Sequence, residues 1–234
     1  MYRERASRRV AGATAWTRTV CDAGAEHRIV PDGCMDLIWL SGVLMVAGPD
    51  TRAQLAVSPP RAAYAALRFP PGLAPAVLGL PAADLRDQRV DLTQLWPAAD
   101  TRHLMDACWS SFGSGGLDAV VADLEAVATR RLAAAGGADP WVTRLVGWLR
   151  AGSTVGAAAD RAGLSGRQLH RRCLPLFGYG PKTLGRVLRF DHALALARAG
   201  ESFADVAVDA GYADQAHLSR EVRSLAGVPL GALV

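Results

Sequence analysis

One pattern occurs twice in the last third of the chain, and it constrains the fold more than any bulk property does. Val155, Ala159 and Gly163 have counterparts 48 residues further on at Phe203, Ala207 and Gly211. Beyond the glycine, Leu169 and Arg171 match Leu218 and Arg220 at an offset of 49. Each position has a physical reason in a helix-turn-helix unit. The small alanine lets two helices cross closely, and the glycine takes the left-handed backbone that a three- or four-residue turn needs. A capping residue, Ser165 or Asp214, then starts the second helix. The leucine anchors that helix inward and leaves its outer face free to enter a major groove.

The flanking residues support two such units joined by a helix. Apolar residues at 141, 142, 145, 146, 148 and 149 predict a helix over Trp141–Ala151. Thr154, Ser165, Ser202 and Asp214 are placed as N-caps, and Val155–Ala162, Gly166–Phe177, Phe203–Ala210 and Gln215–Ala226 as helices. Between the units, Lys182–Ala199 reads as one helix of about 27 Å at 1.5 Å per residue. Pro175 is expected to kink the first reading helix or end it early.

Upstream the texture changes. Short apolar runs at His27–Val30, Cys34–Leu40, Val43–Ala47, Gln54–Val57 and Tyr64–Phe69 are separated by turn residues, which predicts a small antiparallel sheet or barrel. Ala74–Leu80, Thr101–Phe112 and Leu117–Ala135 read as helices, with Gly113–Gly116 between the last two. Gly136-Gly137 before Pro140 marks a linker. The expected fold class is therefore α+β in two domains. Residues 1–135 form a β-rich domain ending in two helices, and residues 138–234 form an all-α tandem helix-turn-helix domain.

Charge follows the same division. Residues 138–234 carry 12 Lys and Arg against 8 Asp and Glu, while the 14 of each sign upstream cancel. A basic segment behind a neutral one points to a polyanion as partner of the basic part. No apolar run reaches the roughly 18 residues of a membrane span. The basic start MYRERASRRV has no apolar stretch behind it, so a cytoplasmic protein without membrane contact is expected.

The chemistry of an enzyme is hard to find. The four cysteines, at 21, 34, 108 and 173, contain no CxxC, and the five histidines have no metal-ligand spacing. Gly113-Ser114-Gly115-Gly116 lacks the Lys-Ser/Thr of a phosphate loop, and no Gly-x-Ser-x-Gly elbow occurs. No catalytic residue, metal site or cofactor is expected.

The stretches VGAAADRAGLSGRQLHRRCLPLFGYGPKTLGRVLRFDHALALARAG and SFADVAVDAGYADQAHLSREVRSLAGVPLGAL resemble the DNA-binding domain of AraC-type transcriptional regulators. Arg189 with His192-Ala193 falls on that family's linker-helix arginine and alanine. Gly211-Tyr212 and Leu218-Ser219-Arg220 fall on its second-unit signature, with Gly227 and Pro229 near the end. The resemblance implies double-stranded DNA as the partner. It puts Arg167, Gln168, His170 and Arg171 on the first reading helix, and Gln215, Ala216, His217, Ser219 and Arg220 on the second. Arg can grip guanine and Gln adenine bidentately. Lys182, Arg186 and Arg144 are expected on phosphates. Cys173, Arg172 and Val222 depart from the larger apolar residues usual there.

The segments His27–Trp39, Val46–Thr51 and Leu67–Gly72 resemble a sensor-type domain found ahead of this DNA-binding domain, whose fold is cupin-like. The resemblance implies a small-molecule effector, and Arg28, Asp36, Trp39 and Arg68 are its candidate pocket residues. RNA polymerase and a second copy of the chain, paired through Thr101–Phe112 and Leu117–Ala135, are the further partners considered. The alternatives are an enzyme or ligand-binding protein carrying a nucleic-acid-binding module, and a protein-interaction domain. A protein-binding groove would expose apolar anchors where this sequence has basic and polar residues. A solvated helix face remains the plain alternative for each arginine.

Overall fold

The computed structural model describes residues 1–21 and 26–234. Alternation of side chains builds the N-terminal domain. In β4 (Met35–Leu40) Met35, Leu37 and Trp39 are buried while Asp36, Ile38 and Leu40 are half-exposed, as expected of a strand with one face on a core. It lies between β5 (Val43–Ala47) and β7 (Ala63–Phe69) in an antiparallel sheet. β2 (Thr14–Thr19) and β1 (Tyr2–Ala6) extend the sheet beyond β7, and β8 (Arg89–Asp91) extends it beyond β5. β3 (Glu26–Ile29) and β6 (Gln54–Val57) pair separately as a two-stranded ribbon. The described strands thus form an open six-stranded sheet and a ribbon rather than one hydrogen-bonded barrel.

Two helices cover the core face of the sheet: α1 (Ala74–Leu78) and α2 (Ala98–Ala134). α2 is broken where the glycines predict, at Gly116, whose φ of 70° and ψ of −159° are not helical. Val120, Val121, Leu124 and Ala128 bury themselves against the sheet, so the apolar stripe considered for pairing two chains is used within one. Trp96 Nε1 and Arg131 both donate to the carbonyl of Leu78 at the end of α1, and the guanidinium of Arg131 lies 4.0 Å over the Trp96 ring.

The C-terminal region is helical: α3 (Pro140–Arg150), α4 (Val155–Arg161), α5 (Gly166–Phe177), α6 (Pro181–Arg198), α7 (Phe203–Asp209) and α8 (Gln215–Ala226). Its core is a second apolar cluster, from Trp141 to Leu230. Pro175 does not shorten α5. It sits in the last exposed turn, where its missing N–H forfeits a single intrahelical bond, and Gly178 ends the helix three residues later with φ 81°. Cys173 and Val222 are fully buried despite being small.

Candidate nucleic-acid interface

The two repeat units fold alike in detail. Thr154 Oγ1 accepts from Ala157 N and Ser202 Oγ from Asp205 N, which starts the first helix of each unit. Gly163 and Gly211 sit at φ 65° and 74°. After each glycine the chain closes back on the conserved-in-repeat alanine: Leu164 N donates to Ala159 O at 3.0 Å and Tyr212 N to Ala207 O at 2.8 Å. Ala159 and Ala207 are buried where the helices cross. Ser165 and Gln168 form a capping box at the start of α5, and Asp214 Oδ1 accepts from His217 N at the start of α8. The second turn is one residue longer, which is why the repeat offset grows from 48 to 49.

Leu169 and Leu218 point into the core. On the other side of α5, Arg167, Gln168, His170 and Arg171 are exposed, and on α8 so are Gln215, Ala216 and Arg220. Neither Arg167, Arg171, Arg220 nor Lys182 takes part in an ion pair among the described residues. The α5 sequence contains no acid, and the one acid of α8, Glu221, is held by Arg186 through Nε at 2.8 Å and Nη2 at 3.2 Å.

Some expected contacts are used within the protein. Arg186 is committed to Glu221. Gln168 Oε1 accepts from Ser165 N, leaving its amide NH2 outward. His217 Nδ1 accepts from Ala213 N, with the ring edge-on to Tyr212 at 5.2 Å, so it braces the turn. His170 lies against Gly180, where a Cβ would run into its imidazole. Ser219 is half-buried, and Arg144 is exposed on α3. Arg189 donates to Gly211 O at 3.3 Å and covers the Tyr212 ring at 5.3 Å, tying α6 to the second turn. The tyrosine hydroxyl is pushed up to about 12 by burial.

The four pocket candidates of the N-terminal domain separate. Asp36 and Arg68 face each other across β4 and β7 on the sheet face away from α2, with Arg68 Nε 3.3 Å from Asp36 Oδ1 and 3.7 Å from Asp32 Oδ2. Trp16 Nε1 donates to Asp36 Oδ1 at 2.6 Å, and the Trp16 ring lies between Tyr2 and Tyr64 at centroid distances of 6.0 and 6.2 Å. Burial raises the Asp36 carboxyl above the usual carboxylate range, although the Arg68 guanidinium opposes the shift. Trp39 is on the opposite face, packed on Trp109 and Phe112. Arg28 lies at the junction with the helical domain, donating to Ala226 O at 2.9 Å. Trp16 and Tyr64 were not foreseen; the period-2 pattern would have put Tyr64 on the face of Arg68.

Comparisons with known proteins agree with this geometry. Residues 158–233 match the helix-turn-helix domain family and residues 13–91 match a domain of unknown function, DUF6597. No curated protein matches the chain. Among solved structures, ToxT from Vibrio cholerae O395 superposes with a TM-score of 0.50 at 9% identity, over 94% of this chain and 96% of that one. An apo ToxT variant from Vibrio cholerae strain SCE256 gives 0.50 at 10% identity, over 96% and 98%. At such identities the likeness is one of fold: a strand-rich domain followed by tandem helix-turn-helix units. Residues 158–233 are thus a helix-turn-helix domain, standing behind a DUF6597 domain at residues 13–91.

Proposed function

We propose that the chain is a sequence-specific regulator that reads two adjacent major-groove segments on one face of DNA, α5 in one and α8 in the next. The observation that carries this is the pair of reading helices whose outward faces hold unpaired cations and no free acid, while their leucines are buried. Arg167, Arg171 and Arg220 are the base-reading candidates, with Gln215 beside them, Gln168 offering its amide NH2, and Ala216 available to a thymine methyl. Lys182 and Arg144 remain candidates for phosphates, whereas Arg186 would first have to leave Glu221. His170, His217 and Ser219 have supporting roles in this reading.

The half-buried cluster of Asp36, Arg68, Asp32 and Trp16 on the sheet face away from α2, within electrostatic reach of Asp191 on α6, is proposed as the place where a small effector would bind. A charged pair beside an aromatic stack supplies both orientation and apolar contact. Selection of random duplexes by the intact chain, followed by a salt titration on the winner, tests the DNA reading. An enriched motif with two elements about one helical turn apart supports tandem reading. Binding without enrichment reduces the interface to electrostatics, and no binding at low salt refutes it.

A further inference from the structure

The C-terminal ends of both reading helices touch the N-terminal domain, and they do so through the same chemistry. The last carbonyls of a helix have no partner within it, and the helix dipole makes that end favourable for cations. At the end of α8, Ala226 O accepts from Arg28 Nη1 at 2.9 Å and Leu225 O from Ala53 N at 2.6 Å. Arg28 belongs to β3, and Ala53 immediately precedes β6, so one ribbon supplies both donors. At the end of α5, Arg86 Nη1 donates to Gly178 O at 3.3 Å. Close packing surrounds that point. A side chain on Gly178 would meet Pro49 at 2.6 Å and Ala82 O at 3.1 Å, and one on Gly72 would meet Phe177 at 2.7 Å. Val30 packs on the helical core.

Within the helical domain, α5 and α8 both pack on α6, the element common to the two units. The N-terminal domain is a second body that grips both. From this we infer that Arg28 and Arg86 are positioning residues: they fix the separation and tilt of the two reading helices, and so the spacing of DNA elements that the chain accepts. The inference rests on the proposed DNA reading for its consequence, but the geometry can be tested without DNA.

Ordinary domain packing would give apolar contact anywhere on the helical domain. Here the charged donors fall at the ends of the two helices whose mutual geometry sets the reading frame. Fixing one unit relative to the other makes the second binding event intramolecular, with an effective concentration that depends on stiffness. Loosening the grip lowers that concentration at the preferred spacing and spreads it over others.

The test uses the full chain with Cys21 and Cys34 replaced by Ser; Cys108 and Cys173 are fully buried. Spin labels at Arg171→Cys and Gln215→Cys report the distance between the reading helices by pulsed EPR. The parent is expected to give one narrow distribution. Arg28→Ala with Arg86→Ala broadens it, Arg28→Lys with Arg86→Lys restores it, and helical circular dichroism stays unchanged in all three. In parallel, without labels, binding is measured on duplexes whose two elements are moved apart one base pair at a time. The double alanine variant should lose about tenfold on the preferred spacing while other spacings change little. A distribution as narrow as the parent's, or an unchanged spacing preference, overturns the inference. So does broadening that accompanies loss of helicity, because it reports general loosening. If broadening occurs but no duplex is bound by any form, the positioning stands and the DNA reading falls.

Discussion

The two domains use their charged groups in opposite ways. In the strand domain, carboxylates turn inward and meet arginines. Glu125, 1% exposed, accepts from Arg5 Nη1, Ser7 Oγ and Arg8 N, and Asp50 is gripped by two nitrogens of Arg89 at 2.6 and 2.9 Å. In the helical domain the reading faces keep their arginines in solvent, and the acid of α8 is turned toward α6. Inward pairs fix a structure; outward unpaired cations wait for a polyanion. Net charge alone shows only that the second half is the basic one, whereas the placement shows which surface is open.

The largest effect should come from breaking an inward group. Glu125→Ala leaves the part-buried donors of Ser7 and Arg8 without their acceptor, together with an Arg5 that has lost its counter-charge. Removing one partner of such a pair costs about 3 kcal/mol. Chemical denaturation should register that loss, and DNA affinity of the folded fraction should stay as it was. A loss below about 1 kcal/mol would mean that the three contacts are marginal and the contrast between the domains is overstated.

The outward side is tested by Arg220→Ala. Stability should move by less than about 0.5 kcal/mol, as for an exposed residue without partners. Affinity for the preferred duplex should fall by about 1–3 kcal/mol, with preference relaxed at one base pair. A band-shift series over single-base variants reads both. Equal loss on every duplex would make Arg220 a phosphate contact.

Much of the helical half is legible because its signals are local. A glycine forced to positive φ, an alanine at a crossing and a cap residue each leave a mark within a few positions. The strand half is only partly legible. β1 reads YRERA and buries none of its side chains, so an edge strand leaves no alternation to detect, and β8 is three residues long. Asp36 and Trp39, taken together as pocket residues, are three apart in one strand and so point to opposite faces, a consequence of the same period that identifies the strand. The grip of Arg28 and Arg86 on the reading helices has no sequence signal at all. It joins residues as far apart as 28 and 226; the sequence marks Arg28 only as a pocket candidate and Arg86 not at all.

A smaller effect separates the inward carboxylates by pH. Burial pushes Glu125 upward, yet the hydrogen bonds from Arg8 N, Ser7 and Arg5 outweigh it and hold the folded carboxyl below the usual range. A depressed carboxyl contributes stability that is present above its unfolded value, about 4.3, and is lost as pH falls through the folded value. Glu125→Gln should therefore cost most at neutral pH and least in acid. Melting curves from pH 3 to 7 that run parallel to the parent's would dispose of this assignment.

The smallest effect should come from Asp36, and its sign is the sharper test. Here burial wins over Arg68, so the folded carboxyl lies above its unfolded value. The folded state then binds more protons than the unfolded one between the two values, and stability falls as pH rises through that window. Asp36→Asn removes the charge while keeping an acceptor for Trp16 Nε1, and Arg68 still has Asp32 within reach at 3.7 Å. The variant should gain stability at neutral pH, by less than about 1 kcal/mol, and lose that advantage in acid. A clear loss at neutral pH would show that the Asp36–Arg68 pair contributes more than its burial costs. The sheet-face cluster would then be a structural pair like Arg89–Asp50, and the case for a ligand there would weaken. A gain would mark Asp36 as a carboxylate kept at some cost to stability, the expected condition of a group retained for binding rather than for folding.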